Sequence, residues 1–220
     1  MSDYLLIKLF HLLCFVYWLG GDLGTFYASG FVARKELGVE ARRTAFKIMM
    51  GCDQAPRLSM PLVFGSGVHL SAQLFLVPGG TTAIVLGWLV AVGWALMVLV
   101  IHFAGHRNSV RWLIQFDFAF RIVAIALIGG VGAISLFRGQ PVPADWLAYK
   151  LLVFAALVFC GLMVRVMLKP FAPAWARLVD GDAADEDHRV IESSISRVRP
   201  FVIAIWVGLL VSAALGLHLV

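Results

Sequence analysis

The 220 residues are 61% hydrophobic and only 14% charged, with a mean hydropathy of +0.90. So apolar a chain is not a soluble domain with a solvated surface, and its net charge of +5 is not a nucleic-acid signal. Several runs of about 20 apolar residues can each cross a bilayer as a helix. The composition therefore predicts an all-α fold: a polytopic integral membrane helical bundle forming one transmembrane domain over 1–220.

Six spans are predicted in chain order: 4–31, 58–78, 82–104, 115–137, 146–168 and 200–219. The first begins MSDYLLIKLF, without a basic leader or a small-residue cleavage site, and is expected to stay in the mature protein. Pro56 and Pro61 bracket the start of the second, and VPGGTT at 77–82 ends it with Pro and two Gly. RGQPVPAD at 138–145 separates the fourth from the fifth. LKPFAPAW at 168–175 stops the fifth, and SRVRP at 196–200 leads into the sixth, with Pro200 in its first turn.

Lysine and arginine set the direction. Fifteen of the 18 fall in or beside the connections 32–57, 105–114 and 169–199; only Lys8, Arg138 and Lys150 lie towards the other side. The positive-inside rule makes those three connections cytoplasmic and puts both termini outside. The expected location is a bacterial inner membrane, crossed several times. The acidic segment DGDAADEDHR at 180–189, with His188, reads as a solvated cytoplasmic loop.

The three cysteines, Cys14, Cys52 and Cys160, share no CxxC spacing, which argues against a disulfide framework or a zinc site. No Walker loop, GxGxxG, HExxH or GxSxG occurs. Any chemistry must come from polar residues inside the membrane, and these are costly there unless they serve a function.

In the first span His11, Phe15, Trp18, Asp22, Thr25 and Ser29 recur at intervals of three and four, on one face expected to point into the bundle. In the second, Gly65, Ser66, His69 and Gln73 share a face. At about 1.5 Å per residue, His11 and His69 fall at similar depth in the outer half of the membrane. Two readings are open: a polar packing seam, or axial ligation of a haem b by two facing imidazoles, with iron held between them. Under the second reading, Gly65, Ser66, Gly20 and Gly21 make room for the ring and Trp18 and Phe15 pack on it. Lys8 and Lys150 meet the propionates, and Asp22 relays protons inward. His102 and His106, spaced i, i+4, are a second candidate site for haem, metal or a quinone, and His218 a third outer-level ligand. Asp117 and Arg121, also i, i+4, are expected to pair at the cytoplasmic surface.

YLLIKLFHLLCFVYWLGG at 4–21 resembles the first helix of the HemJ-type membrane protoporphyrinogen oxidases and is similar to the CopD-type copper-resistance membrane domains. RLSMPLVFGSGVHL at 57–70, WLAYKLLVFAALVF at 146–159 and HRVIESSISRVRPFVIAI at 188–205 look like later segments of the HemJ-type pattern, with Lys150 at its lysine and Glu192 at its acidic position. The likeness covers about half the chain. It implies that His11 ligates haem b. It does not carry over to His69, and the helices over 82–137 have no counterpart in a four-helix HemJ-type protein.

The function expected is therefore that of a haem-b membrane protein. It would exchange electrons with a quinone or oxidise a porphyrinogen-like substrate. One haem is expected, or two if His102 and His106 serve. The alternatives are a CopD-like copper transporter, with His11, Cys14, Met60, His102 and His106 along its path, and an anchor or assembly subunit of a redox complex. The partners expected are the lipid bilayer, a quinone or porphyrin, and a redox subunit or a second copy of the chain, with no nucleic acid.

Overall fold

In a computed structural model of the chain, which describes residues 2–105 and 107–219, every regular element is helical. The elements are α1 (Ser2–Ala33), α2 (Val39–Cys52), α3 (Gln54–Gln73), α4 (Gly80–Ala104), a short 3-10 turn (Asn108–Val110), α5 (Arg111–Arg138), α6 (Asp145–Met167), α7 (Phe171–Asp180) and α8 (Asp185–Gly216).

Five of these are long and apolar enough to cross a membrane: α1, α4, α5 with its preceding turn, α6 and α8. The sixth predicted span, 58–78, corresponds to α3, which begins four residues earlier and is too polar to qualify by composition. It carries Gln54, Arg57, Ser59, Ser66, Ser71 and Gln73 among its apolar residues. Most of those polar groups face neighbouring helices, because α3 packs lengthwise between α1 and α4.

The predicted connections are also more ordered than expected. The stretch 32–57 contains α2, and 169–199 contains α7 and the first 15 residues of α8. Helix α8 thus starts before the acidic segment ends and runs through Pro200, which lies inside it rather than in a first turn. Proline removes one backbone donor there, yet the helix continues across it, with Val198 and Ile205 buried on either side. The left-handed glycines Gly139 (φ 66°) and Gly181 (φ 87°) end α5 and α7, a conformation costly for residues with a Cβ.

Two trios make the bundle. Helix α3 lies between α1 and α4, α6 lies between α5 and α8, and α1 against α8 joins them. Trp18, Met60, Trp94, Phe154, Val158 and Leu209 form the centre where the trios meet. A second core under one end gathers Val32, Ala45, Phe171, Trp175, Leu178 and Ile191, so that α2 and α7 cap the bundle. The outward faces are apolar: Leu12, Leu89, Leu127 and Leu210 are each more than half exposed.

Small residues let the helices approach. A Cβ at Gly65 would fall 2.6 Å from the Ala91 Cβ, and one at Gly132 would fall 3.0 Å from the Ala148 carbonyl oxygen. Gly65→Leu is therefore expected to push α3 from α4 and cost about 1–3 kcal/mol, the usual range for overpacking. Thermal unfolding in detergent would read this as a lowered midpoint, with Gly20→Ala, which has open space at its Cβ, as the neutral control.

Candidate functional site

The stripe on α1 faces inward. Cys14, Trp18 and Ala28 are buried, and His11, Phe15, Asp22, Thr25 and Ser29 are half-buried, while Leu12, Leu13, Val16, Tyr17 and Leu23 face out. The helical spacing predicts this, because inward positions recur every three to four residues.

At one end of the stripe, His11 Nδ1 lies 2.8 Å from the Oγ of Ser66 on α3. Ser66 is fully buried, and its hydroxyl hydrogen is committed to the Leu62 carbonyl oxygen at 2.7 Å. A hydroxyl has one hydrogen to give, so the shared proton at His11 belongs to Nδ1, which donates to Ser66. That tautomer puts the ring's lone pair on Nε2. The ring lies along the α3 backbone at Gly67, where a Cβ would come 3.4 Å from its Cε1.

His69 is set differently. Trp88 of α4 donates its indole N–H to His69 Nδ1 at 3.1 Å, with the two rings edge to face. Its remaining hydrogen is therefore on Nε2, so neither ring nitrogen is free to ligate. His11 and His69 engage different helix pairs, α1–α3 and α3–α4, and are not a facing pair. Positions 66 and 69 on α3 point about 60° apart, enough to send one side chain to α1 and the other to α4. The room expected at Gly65 is taken by Ala91, and Ser66 holds His11.

Lys150 of α6 comes within electrostatic reach of His11. Its ammonium lies 5.8 Å from the centre of the Trp146 ring and against Gly216 of α8, where a Cβ would sit 2.8 Å away. Among the described residues no carboxylate lies within 4 Å of it. Lys8 is exposed on the outward side of α1. His218 is exposed and edge-on to Trp146 at 5.1 Å, and His102 is exposed against Phe103. His106 lies outside the described residues.

A second polar cluster lies nearer the cap. Trp18 hydrogen-bonds the Asp22 carboxyl, whose Oδ2 is buried with no partner in the described structure, and Asp53 is within electrostatic reach of it. Asp53 is ion-paired to Arg57 one turn on. Gly21 permits this closeness, since a Cβ there would meet Pro56, Ala55 and the Cys52 carbonyl within 2.9 Å. Arg121 is near Arg57 and stacks over Trp94 at 5.4 Å. Its Nε lies 3.1 Å from both Asp117 oxygens. Arg165 of α6 reaches the same carboxylate at 2.5 Å and also donates to the Ile114 carbonyl at 3.3 Å.

The Asp117–Arg121 pair is thus formed, but at a position where Asp117 is 2% exposed, and Arg165 shares it. The sequence reading missed Arg165 and the Asp53–Arg57 pair. Their charge was legible, but their partners lie on other helices or across a helix break. Among the described residues no three of His, Cys, Asp and Glu gather to hold a metal ion, and Met60 packs against Arg121. No family model, curated protein or solved structure matches the chain.

Proposed function

We propose that the chain is an integral membrane protein of a bacterial inner membrane that binds a haem b through His11 and serves redox chemistry with a quinone or a porphyrinogen-like substrate. The observation that carries this reading is the His11–Ser66 hydrogen bond. Metal-ligating histidines usually donate their other ring N–H to a fixed partner, which sets tautomer and orientation, and the Nδ1 contact of His11 with Ser66 is of that kind. Of the two histidines, His11 is the one whose ring could hold the iron of such a group, while both ring nitrogens of His69 are taken up. When bound, the group supplies a one-electron iron couple.

The chain's own residues do the rest. Ser66 orients the imidazole, and Lys150, a cation with no carboxylate within 4 Å among the described residues, would receive an anionic group such as a propionate. Asp22, with one carboxyl oxygen unspent beside Asp53, is the group positioned to pass a proton on the inner side. Helix α3 has 20 residues, about the thickness of the hydrocarbon core, and lies along α1 and α4, which supports a sixth crossing. With six crossings the basic residues collect on the side of α2 and α7, which supports a cytoplasmic cap and outer termini.

The test is an absorbance spectrum with a pyridine-haemochrome assay on protein purified from haem-replete cells. A Soret band is expected in the wild type, lost in His11→Ala and kept in His69→Ala and His102→Ala. A colourless wild type overturns the haem reading. A band that survives His11→Ala overturns the assignment of the ligand.

A further inference from the structure

The cap contains a buried arginine whose surroundings are unusual. Arg42 of α2 is 1% exposed and has no carboxylate within 4 Å among the described residues. Its Nε donates to the Val32 carbonyl in the last turn of α1 at 2.9 Å, and its guanidinium lies 6.0 Å from the centre of the Trp175 ring of α7. Its Nη1 is 3.0 Å from Nδ1 of His188, in the first turn of α8. His188, expected to be solvated in a loop, thus makes a polar contact from α8 to Arg42 of α2.

The chemistry of that contact has one solution. A guanidinium has five N–H groups and no acceptor, and it stays charged in proteins. Nη1 must therefore donate, and His188 Nδ1 must accept with its lone pair. An imidazolium cannot accept. Protonating Nδ1 would place N–H against N–H and two cations at hydrogen-bond distance. The other charged groups nearby do not join the contact, although Asp187 is within electrostatic reach of His188. Glu36, ahead of α2, bears on Arg42 from a distance. Asp187, next to His188 on α8, is committed to Arg177 of α7 at 2.9 and 2.5 Å and to the Ala184 N–H at 3.0 Å. Arg43 of α2 is turned to Glu40 at 2.8 Å and to the Val179 carbonyl at 2.5 Å.

We infer that the His188–Arg42 contact is a proton-operated latch: it closes the α2–α7–α8 cap when His188 is neutral and releases α2 from α8 when the imidazole takes up a proton. Helix α2 ends at Cys52, directly before Asp53, which acts on Asp22, so a loosened α2 also loosens the support of that carboxyl pair. The latch needs no cofactor, and its failure leaves the His11 reading untouched.

Hydrogen–deuterium exchange of the full chain in lipid nanodiscs tests it. Peptides covering 39–52 would be followed at pH 7.5 and 5.5, with rates corrected for intrinsic exchange. The wild type is expected to exchange there about tenfold faster at pH 5.5, while α6 peptides stay unchanged. His188→Gln, a neutral acceptor, should remove the pH response, and His188→Lys should exchange fast at both pH values. An unchanged wild type, or a His188→Gln variant with the full response, overturns the latch. If His188→Lys does not fold, the wild type and His188→Gln decide alone.

Discussion

Asp117→Ala is expected to be the most destabilising single change in the charged cluster, at about 3–5 kcal/mol, the usual cost of removing one partner of a buried ion pair. The carboxylate is almost wholly buried and serves two guanidiniums, Arg121 on its own helix and Arg165 on α6. Removing it leaves Arg121, whose side chain is 12% exposed, with the Trp94 face and the Met60 sulfur for company. Neither replaces two charge-assisted hydrogen bonds. Arg165→Ala should cost much less, because its side chain is one-third exposed and its charge is partly screened.

The double variant Asp117→Leu with Arg121→Met decides whether the pair or the packing matters. It removes both charges and refills the space, so it should recover most of the lost stability. Thermal midpoints of the wild type, Asp117→Leu, Arg121→Met and the double variant in one detergent give the coupling. A double variant as unstable as Asp117→Ala would mean that Arg165, not Arg121, depends on the carboxylate.

The helical class and five spanning-length helices were legible because hydropathy sums over 20 residues and needs no knowledge of neighbours. The inward stripe on α1 was legible for a related reason: its period belongs to one helix. What lay across the stripe was not. A period of 3.6 fixes the face of α3 to within about 60°, and that is the angle separating Ser66, which meets α1, from His69, which meets α4. Two candidate ligands on one predicted face thus turned to different neighbours.

The cap was missed for the opposite reason. Helix α7 carries its buried residues, Phe171, Ala174, Trp175 and Leu178, at helical spacing, but it is 10 residues long and follows Pro170. A window tuned to bilayer thickness averages it into a loop. The acidic run before α8 looked solvated for its charge, although Asp185, Glu186 and Asp187 suit a helix N-terminus and Asp187 receives the Ala184 N–H there. Arg42 and His188 are 146 residues apart, and nothing local marks them as partners. The cap shifts one ionisation in a direction the sequence would not suggest: burial pushes the Arg42 guanidinium down from its ordinary value, with Glu36 opposing.

Trp18→Ala is expected to cost about 3–5 kcal/mol, the range for truncating a large buried aromatic, and to disturb Asp22 as well. Trp18 is 3% exposed at the centre of the bundle, edge-on to Phe154 at 6.4 Å and 88°. It is also the donor that Asp22 uses, one turn along α1. The alanine therefore combines a cavity with a lost hydrogen bond, and Trp18→Phe separates them. Phenylalanine keeps most of the packing, so its cost should fall to about 1–3 kcal/mol, the penalty of leaving a buried acceptor unpaired. Asp22→Asn on the Phe background then distinguishes two roles for the carboxyl. If Asp22 is only an anchor for the indole, the asparagine changes neither stability nor proton movement once Trp18 is gone. If Asp22 passes protons, Trp18→Phe leaves proton flux across reconstituted vesicles measurable and the added Asp22→Asn abolishes it. Among the described residues Asp22 keeps one oxygen without a partner even with Trp18 in place, so it has an acceptor left to take up a proton. The flux result is therefore the one expected.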